Sequence, residues 1–255
     1  MRTRTLIFSF FLFVFLCAFF AVVTFPAALA WRLIEKEFSV PDGVRVEKVS
    51  GRVWDGNVLA DLALPTAGVK RKLLVKWRLS LRSLVEGKVN VVVHAQANGI
   101  ELASRVSAGL KGFELNVESA QVDLARWNDV AGPHRVMLSG EVTAQALQLA
   151  WNGQQVLNAS GKLNWTGGEI SYPAGREQHT ASFPAFQGRL FQSDQVVQIG
   201  IRDVGVDFDH ILVTVSNQGW LQTDVKKRLL DLAGEPWRES VSEDQTLFSI
   251  KRKLF

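Results

Sequence analysis

The sequence has a single cysteine, Cys17, and only four histidines, which stand far apart. One cysteine cannot form an intramolecular disulfide, so the fold must be held together by its core. The histidines His94, His134, His179 and His210 lack the i to i+4 spacing and the cysteine neighbours of zinc sites. We therefore expect no bound metal and no cofactor.

Motifs for nucleophilic catalysis and phosphate binding are also missing. There is no G-x-S-x-G elbow and no phosphate-binding glycine loop, and the glycines stand where hairpins need corners. The best local cluster is Asp207-Phe208-Asp209-His210, where a strand would place both aspartates on one face, toward a cation. A solvated strand end or turn explains the same residues, and no third ligand stands at a useful spacing. The sequence thus predicts no enzyme and no catalytic, cofactor-binding or metal-binding residues.

Long runs of one charge are absent as well. The formal net charge is only +4, with basic and acidic residues mixed along the chain, which argues against a nucleic-acid partner. The terminal Lys251-Arg252-Lys253 is expected to be solvated. No proline-, glycine- or serine-rich linker divides the chain after its N-terminal segment. We therefore expect one continuous folded unit.

The N-terminal segment is the most apolar part of the chain. Residues 6–31 are almost wholly apolar, and Arg2 and Arg4 precede them without an acidic residue. About 20 apolar residues span a bilayer as a helix, and positive charges before the span keep the N-terminus in the cytoplasm. This predicts a cytoplasmic N-terminus at 1–5, a transmembrane signal-anchor at 6–31 and a β-rich domain at 32–255, periplasmic in a bacterium.

A cleaved secretory signal is the alternative for the same segment. Ala28-Leu29-Ala30 fits a cleavage site, but the apolar region of a typical signal has only about 7–15 residues. The greater length favours an uncleaved anchor, with Trp31 at the membrane interface. Cleavage after Ala30 stays open, and both alternatives deliver the rest of the chain to the same compartment.

Beyond residue 43 the dominant pattern is alternation of apolar and polar residues. In one run Leu73, Val75, Trp77 and Leu79 alternate with Lys72, Lys76 and Arg78, and Val89, Val91, Val93, Ala95 and Ala97 form another apolar set. Such strands have one wet face and one dry face, as antiparallel sheets do. The phase slips near Ala146, which predicts a β-bulge. Short helical segments are predicted at 81–87, within 121–132 and at 225–234.

Hairpin turns are predicted at two dipeptides, Asp55-Gly56 and Asn152-Gly153. The first would join arms near 44–54 and 57–63, and the segment 166–184 is expected to be rich in turns. Four tryptophans fall in alternating runs, and we expect their rings in the core: Trp54, Trp77, Trp151 and Trp165.

Together these patterns predict a mainly β protein. An N-terminal transmembrane helix would be followed by a curved, largely antiparallel β-sheet with one or two short helices. Periodicity does not choose among a groove, a sandwich and an open barrel.

Several motifs, in their order behind the apolar segment, resemble a known family. They are Ser50-Gly51-Arg52-Val53-Trp54-Asp55-Gly56, Val75-Lys76-Trp77-Arg78-Leu79, Leu84-Val85-Glu86-Gly87, Ser139-Gly140 and Gly161-Lys162-Leu163-Asn164-Trp165. In order and spacing they resemble the type II secretion system protein N family. The resemblance covers nearly the whole chain.

The resemblance implies a single-span protein of the inner membrane of Gram-negative bacteria, with its C-terminal domain in the periplasm. It implies an accessory role, as a scaffold, in the machinery that exports folded proteins across the outer membrane. The expected partners are the inner membrane and other type II secretion components. No enzyme activity and no site residues follow from it.

A rival function comes from another class of envelope protein. Long sheets with one dry face, tethered to the inner membrane, are similar to AsmA-like lipid-transfer proteins, in which an apolar groove shelters acyl chains. An open dry face would bind lipid, whereas a face closed by packing would only stabilise the fold. A periplasmic hydrolase or sugar-binding enzyme is disfavoured because no polar constellation supports it.

Overall fold

The computed structural model describes residues 12–13, 16–17, 20–21, 23–35, 43–64, 69–110, 112–131, 135–193, 196–235, 237 and 241–253. The predicted cytoplasmic residues 1–5 and much of the predicted span 6–31 lie outside these ranges. Within the described ranges, no helix is both long and apolar enough to cross a membrane. The predicted transmembrane helix is therefore not confirmed.

The described residues form mainly strands. The strands are β1 (Val44–Gly51), β2 (Asp55–Leu64), β3 (Val69–Leu79), β4 (Lys88–Ala97), β5 (Ile100–Gly109), β6 (Gly112–Asp123), β7 (Met137–Leu138), β8 (Glu141–Trp151), β9 (Val156–Trp165), β10 (Gly168–Ala174), β11 (Glu177–Phe183), β12 (Phe186–Ser193), β13 (Val196–Asp203), β14 (Ile211–Val215), β15 (Trp220–Lys226) and β16 (Thr246–Lys253). The helices are α1 (Ala27–Ile34), α2 (Leu81–Val85), a 3-10 helix (Leu124–Trp127), α3 (Asn128–Ala131) and α4 (Lys227–Ala233).

Thirteen of the strands form one antiparallel sheet, in the order β1-β2-β3-β4-β5-β6-β8-β9-β12-β13-β14-β15-β16. The other three form a small antiparallel sheet in the order β11-β10-β7. Among the described residues, β1 and β16 each pair on one side only, so the large sheet is open. The prediction of a mainly β, largely antiparallel fold with a few short helices is confirmed.

The large sheet has one apolar face. Alternate residues point to the same side, and directly paired residues share that side, so the register assigns every position to a face. From β1 to β6 this apolar face carries Val44, Val46, Val49, Val58, Ala60, Leu62, Leu73, Val75, Trp77, Leu79, Val89, Val91, Val93, Ala95, Ala97, Ile100, Leu102, Val106, Leu115, Val117 and Val122. From β8 to β14 it carries Val142, Ala144, Leu147, Leu149, Ala159, Leu163, Trp165, Phe186, Leu190, Ile199, Ile201, Ile211 and Val213.

Bulges keep this face continuous where the sequence loses its alternation. The register shifts between Val46 and Lys48 in β1, and between Gln145 and Gln148 in β8. At the second position Ala146 has a positive φ of 50°. The extra residue returns Leu147 to the apolar face, which confirms the predicted bulge.

The first hairpin differs in its turn from the prediction. Arg52 N donates to Asp55 O (2.9 Å) and Asp55 N to Arg52 O (3.2 Å), so Val53 and Trp54 form the turn. Asp55 and Gly56 belong instead to β2, where Gly56 pairs with Trp77 of β3. A Cβ built at residue 56 would lie 2.5 Å from the Trp77 ring. Glycine is required there because the indole covers the backbone.

The C-terminal half contains both a confirmed and a wrong prediction. Helix α4 ends at Gly234, which has a left-handed φ of 72°, as the predicted glycine stop requires. The segment 166–184, predicted to be rich in turns, instead forms the hairpin β10–β11 of the small sheet. Its alternation is weak because Gly168, Pro173 and Gly175 interrupt it.

The predicted core tryptophans are buried to different degrees. Trp165 packs in the core, 5.4 Å from the ring of Phe186 between centroids. Trp54 and Trp77 are half-buried, and the indole N–H of Trp77 donates to Val53 O at 2.9 Å. Trp151 is 44% exposed, so its prediction is wrong. It is the last residue of β8, at the end of the strand.

Among the described residues, the cover of the apolar face is concentrated on one half of the large sheet. The small sheet and α4 lie over it at β9, β12 and β13, where Ala181, Phe183 and Phe186 form the buried core. Trp165, Ile170, Tyr172, Ile201, Leu229, Leu232 and Ala233 pack around that core. From β1 to β6 most residues of the apolar face are only half-buried. The described part of the chain thus combines a covered and an open apolar half.

We expect Gly56→Ala to lower the free energy of unfolding by about 1–3 kcal/mol, because the new methyl group meets the Trp77 ring and must displace it. Urea unfolding followed by tryptophan fluorescence measures this change.

The matched control is Gly109→Ala in β5, where an added Cβ meets only the Lys88 side chain, at 3.5 Å, and the Gly87 carbonyl oxygen, at 3.6 Å. This variant should be neutral or stabilised by up to about 1 kcal/mol. Equal effects of the two substitutions would contradict the packing of Trp77 over Gly56.

Candidate functional site

A cavity of about 530 Å³ lies between the large sheet and the layer that covers it. Its lining is almost entirely apolar and comes from both sheets and α4. The lining residues are Leu124, Leu138, Val142, Leu163, Asn164, Trp165, Ile170, Tyr172, Phe183, Phe186, Gly188, Ile201, Ile211, Leu229, Leu230, Ala233 and Glu235. Ligand pockets in proteins commonly have this size and this apolar character.

The floor of the cavity follows from period-two alternation in the large sheet. Val142, Leu163, Phe186, Ile201 and Ile211 stand on five adjacent strands and share the apolar face. The roof comes from the apolar residues of β7, β10, β11 and α4. The cavity therefore exists because two apolar layers meet without filling the space between them.

The roof is joined to the floor through Ser139, which lies between β7 and β8. Its backbone N–H donates to Glu169 O (3.0 Å), and its hydroxyl accepts from Glu169 N (2.6 Å). The indole N–H of Trp165 donates to Ser139 O at 2.9 Å. The Ser-Gly motif at 139 and the Trp motif at 165, noted separately in the sequence, thus meet at one joint.

A second joint fixes α4 through a buried ion pair. Arg228 of α4 donates from Nη2 to Asp203 Oδ2 at 2.9 Å, and His210, which is fully buried, contacts the other carboxylate oxygen. Burial alone would raise the pKa of the Asp203 carboxyl, but hydrogen bonds from Arg228 and His210 outweigh burial and lower it. The charged Asp203 therefore holds the helix against the end of β13.

The same ion pair includes a contact to His210, which belongs to the Asp207–His210 cluster noted in the sequence. The segment is a loop, not a strand: Asp207 is exposed, Asp209 accepts from Arg202 Nε at 2.9 Å, and His210 turns toward Asp203. The residues therefore do not form the suggested cation site. Among the described residues, no group of three or more His, Cys, Asp or Glu side chains is placed to hold a metal ion.

The polar corner of the cavity consists of Tyr172, His179 and Glu235. The Tyr172 hydroxyl donates to Glu235 Oε1 at 2.6 Å, and His179 Nδ1 donates to the same oxygen at 2.8 Å. These two hydrogen bonds lower the pKa of the Glu235 carboxyl, and the bond to Glu235 raises the pKa of His179. Burial, helped by Glu235, raises the pKa of Tyr172 to about 12. One carboxylate therefore borders an otherwise apolar space.

The other histidines lie apart from the cavity. His94 is exposed on the polar face of β4, and His134 lies outside the described residues. Sequence reasoning gave His179 no role because its partner Glu235 is 56 residues away. No local signal pointed to His179 either, because it lies in the segment 166–184 that was expected to be rich in turns.

The open half of the apolar face spans β1 to β6. At about 4.8 Å per strand it is roughly 25–30 Å across, far larger than the apolar patches that single exposed side chains make. Arg71 closes one end: it is 9% exposed, donates to Asp129 Oδ1 at 2.6 Å, and lies 4.8 Å from the Trp127 ring centroid. In β3, the residues of the apolar face between Arg71 and the end of the strand at Leu79 remain partly exposed.

Comparison with known proteins gives one match. A family model described as type II secretion system (T2SS), protein N, matches residues 42–235, which include β1 to β15 and α4. Neither the curated proteins nor the solved structures show a match.

The ion pair between His179 and Glu235 should make stability depend on pH. Because the folded pKa of His179 is raised, its contribution is complete below the unfolded value of about 6.5 and is lost as pH rises through the folded value. Because the folded pKa of Glu235 is lowered, its contribution is lost only as pH falls through that low value. We expect His179→Gln to lower the melting temperature most at mildly acidic pH and least at alkaline pH.

The control for this prediction is a double-mutant cycle with Glu235→Gln. In the Glu235→Gln background, His179→Gln should no longer change the melting temperature in a pH-dependent way. A pH dependence that persists without the carboxylate would show that another group holds the imidazolium.

Proposed function

The chain belongs to the type II secretion system protein N family, and on that basis we propose that it is an accessory inner-membrane component of the type II secretion machinery. Its β-rich domain acts as a scaffold in the export of folded proteins across the outer membrane. Family membership itself gives the coarser statement, a role in type II secretion together with other components of that machinery.

The scaffold role is supported by the shape of the large sheet. Thirteen antiparallel strands, each hydrogen-bonded to its neighbours, make one continuous surface with different chemistry on its two faces. At about 4.8 Å per strand, the path across the sheet is about 60 Å long. A surface of this length can contact more than one component of an assembly.

The topology rests on the N-terminal sequence. The apolar run 6–31 is long enough to span a bilayer, and Arg2 and Arg4 favour a cytoplasmic N-terminus. The domain from residue 32 onward is then periplasmic, where a chain without disulfides is stable through its core. The family is a component of secretion machinery rather than an enzyme family, which agrees with a non-catalytic role.

We expect deletion of the gene in its own host to retain folded secretion substrates in the periplasm, and expression of the full chain to restore their export. Immunoblots of medium, periplasm and inner membrane measure both the substrates and the chain itself. Unchanged export after deletion, or recovery of the full chain only in the cytoplasm, would contradict the proposal.

Lipid binding on the open apolar face is the second candidate, because β1 to β6 leave their apolar residues half-buried. Such a face requires a covering partner. The backbone groups of these strands are already paired in the sheet, so an apolar occupant without hydrogen-bonding groups fits the face without cost. Acyl chains have this chemistry, as in the AsmA-like proteins, to which a long membrane-tethered sheet with one dry face is similar.

We expect phospholipid to co-purify with the segment after residue 38, as measured by mass spectrometry of a solvent extract. Val93→Lys places a charge on the open apolar face of β4 and should reduce the bound phospholipid severalfold.

The matched control is Val92→Lys, one residue away on the polar face of the same strand. It should leave the amount of bound phospholipid unchanged. Protein free of lipid, or equal losses in both variants, would count against this candidate and leave the secretion role intact.

A further inference from the structure

We propose that the cavity beneath the small sheet is a binding site for one acyl chain of a phospholipid. This inference rests on the lipid-binding candidate above and gives it a second site, between the two sheets and distinct from the open apolar face. The cavity is separate because the small sheet and α4 roof it over at β9, β12 and β13, whereas β1 to β6 have no such roof in the described part of the chain.

The size and lining of the cavity require an apolar occupant. The cavity opens to solvent, so its apolar lining meets water around a space of about 530 Å³, and removing that lining from water is favourable. Water does not fill it well, because a bound water needs two to four polar partners. The polar lining consists of Asn164 and the two cavity members of the polar corner, Tyr172 and Glu235, which already bond to each other.

Hydrogen bonding excludes a peptide as the occupant. Every strand of the floor, and β10 in the roof, pairs on both sides, and the edge strands β7 and β11 present their remaining backbone groups in the plane of the small sheet rather than toward the floor. A peptide in the cavity would carry N–H and C=O groups that find no partners, which is strongly unfavourable. A hydrocarbon chain carries none.

Hydrogen bonding also selects the source of that chain. At the edge of the cavity Tyr172 and His179 both donate to Glu235 Oε1, so these two donors are already used. A free fatty acid would bring a carboxylate that needs donors at this edge. The acyl ester of a phospholipid is neutral where the chain enters and does not need them.

The test uses the full chain in vesicles of phosphatidylethanolamine and phosphatidylglycerol. A fraction of the phosphatidylethanolamine carries a photoactivatable diazirine on its acyl chain, and a parallel sample carries a diazirine fatty acid of equal length. After irradiation, peptides bearing adducts are mapped by mass spectrometry. We expect phospholipid adducts on the roof residues Ile170, Phe183 and Leu229.

Ala233→Phe fills the cavity from α4 and excludes about three methylene groups of the chain. The phospholipid concentration for half-maximal cavity labelling should therefore rise about 50-fold. Ala150→Phe, on the polar face of β8, adds the same ring outside the cavity and should change nothing. Val142→Phe fills the cavity from the floor. It replaces Ala233→Phe in the experiment if circular dichroism shows that Ala233→Phe does not fold.

The outcomes separate this proposal from the broader one. Adducts confined to β1 to β6 overturn the cavity site but keep lipid binding on the open face. No adducts anywhere overturn both. Cavity labelling by the fatty acid alone, or cavity labelling unchanged in the filled variants, overturns the phospholipid site, and if neither filled variant folds, the adduct map of the unmodified chain decides.

Discussion

The structure depends on one constraint: alternate residues of thirteen strands must turn to the same side, and the register between strands must keep them there. A slip of one residue would send a whole strand's apolar set to the polar face. The bulges in β1, β6 and β8 restore the alternation at the positions where the sequence interrupts it. Both the cavity and the open face are products of this continuity, since in the described part of the chain the same apolar surface is covered by the small sheet and α4 at one end and is half-buried at the other.

Much of this could be predicted from local sequence, and the failures have physical causes. Alternation identified β3, β4 and β13, the slip at Ala146 identified the bulge, and Gly234 marked the end of α4, because each signal lies within a few residues. The hairpin turn predicted at Asp55-Gly56 was wrong, because the glycine at 56 is required for packing against Trp77, a residue on the neighbouring strand. The hairpin β10–β11 and the strand β16 were missed, since glycine and proline interrupt the first and the basic residues of the second suggest a solvated end.

The candidate site was less predictable than the fold, because its parts come from distant sequence positions. Tyr172, His179 and Glu235 meet only after the small sheet folds over β9 and β12, and no local motif joins them. The Ser139 joint is an intermediate case: both of its motifs were visible, but not that Trp165 bonds to Ser139. The proposed scaffold role and the proposed lipid role are compatible in this architecture, since the large sheet has one polar face and one apolar face.

The order of strands has a consequence for how the chain is made. From β1 to β6 every strand pairs with the one that follows it in sequence, so contacts are local and each strand finds its partner as soon as that partner is synthesised. A domain that emerges from a translocation channel with its N-terminus first can therefore fold progressively, strand by strand. The roof cannot fold in this way, because Ser139 bonds to Glu169 and Asp203 bonds to Arg228, and each of these partners is synthesised much later than the residue it bonds. The open half is thus complete while the half beneath the small sheet is still assembling, so the chain presents its open apolar face before it presents the cavity.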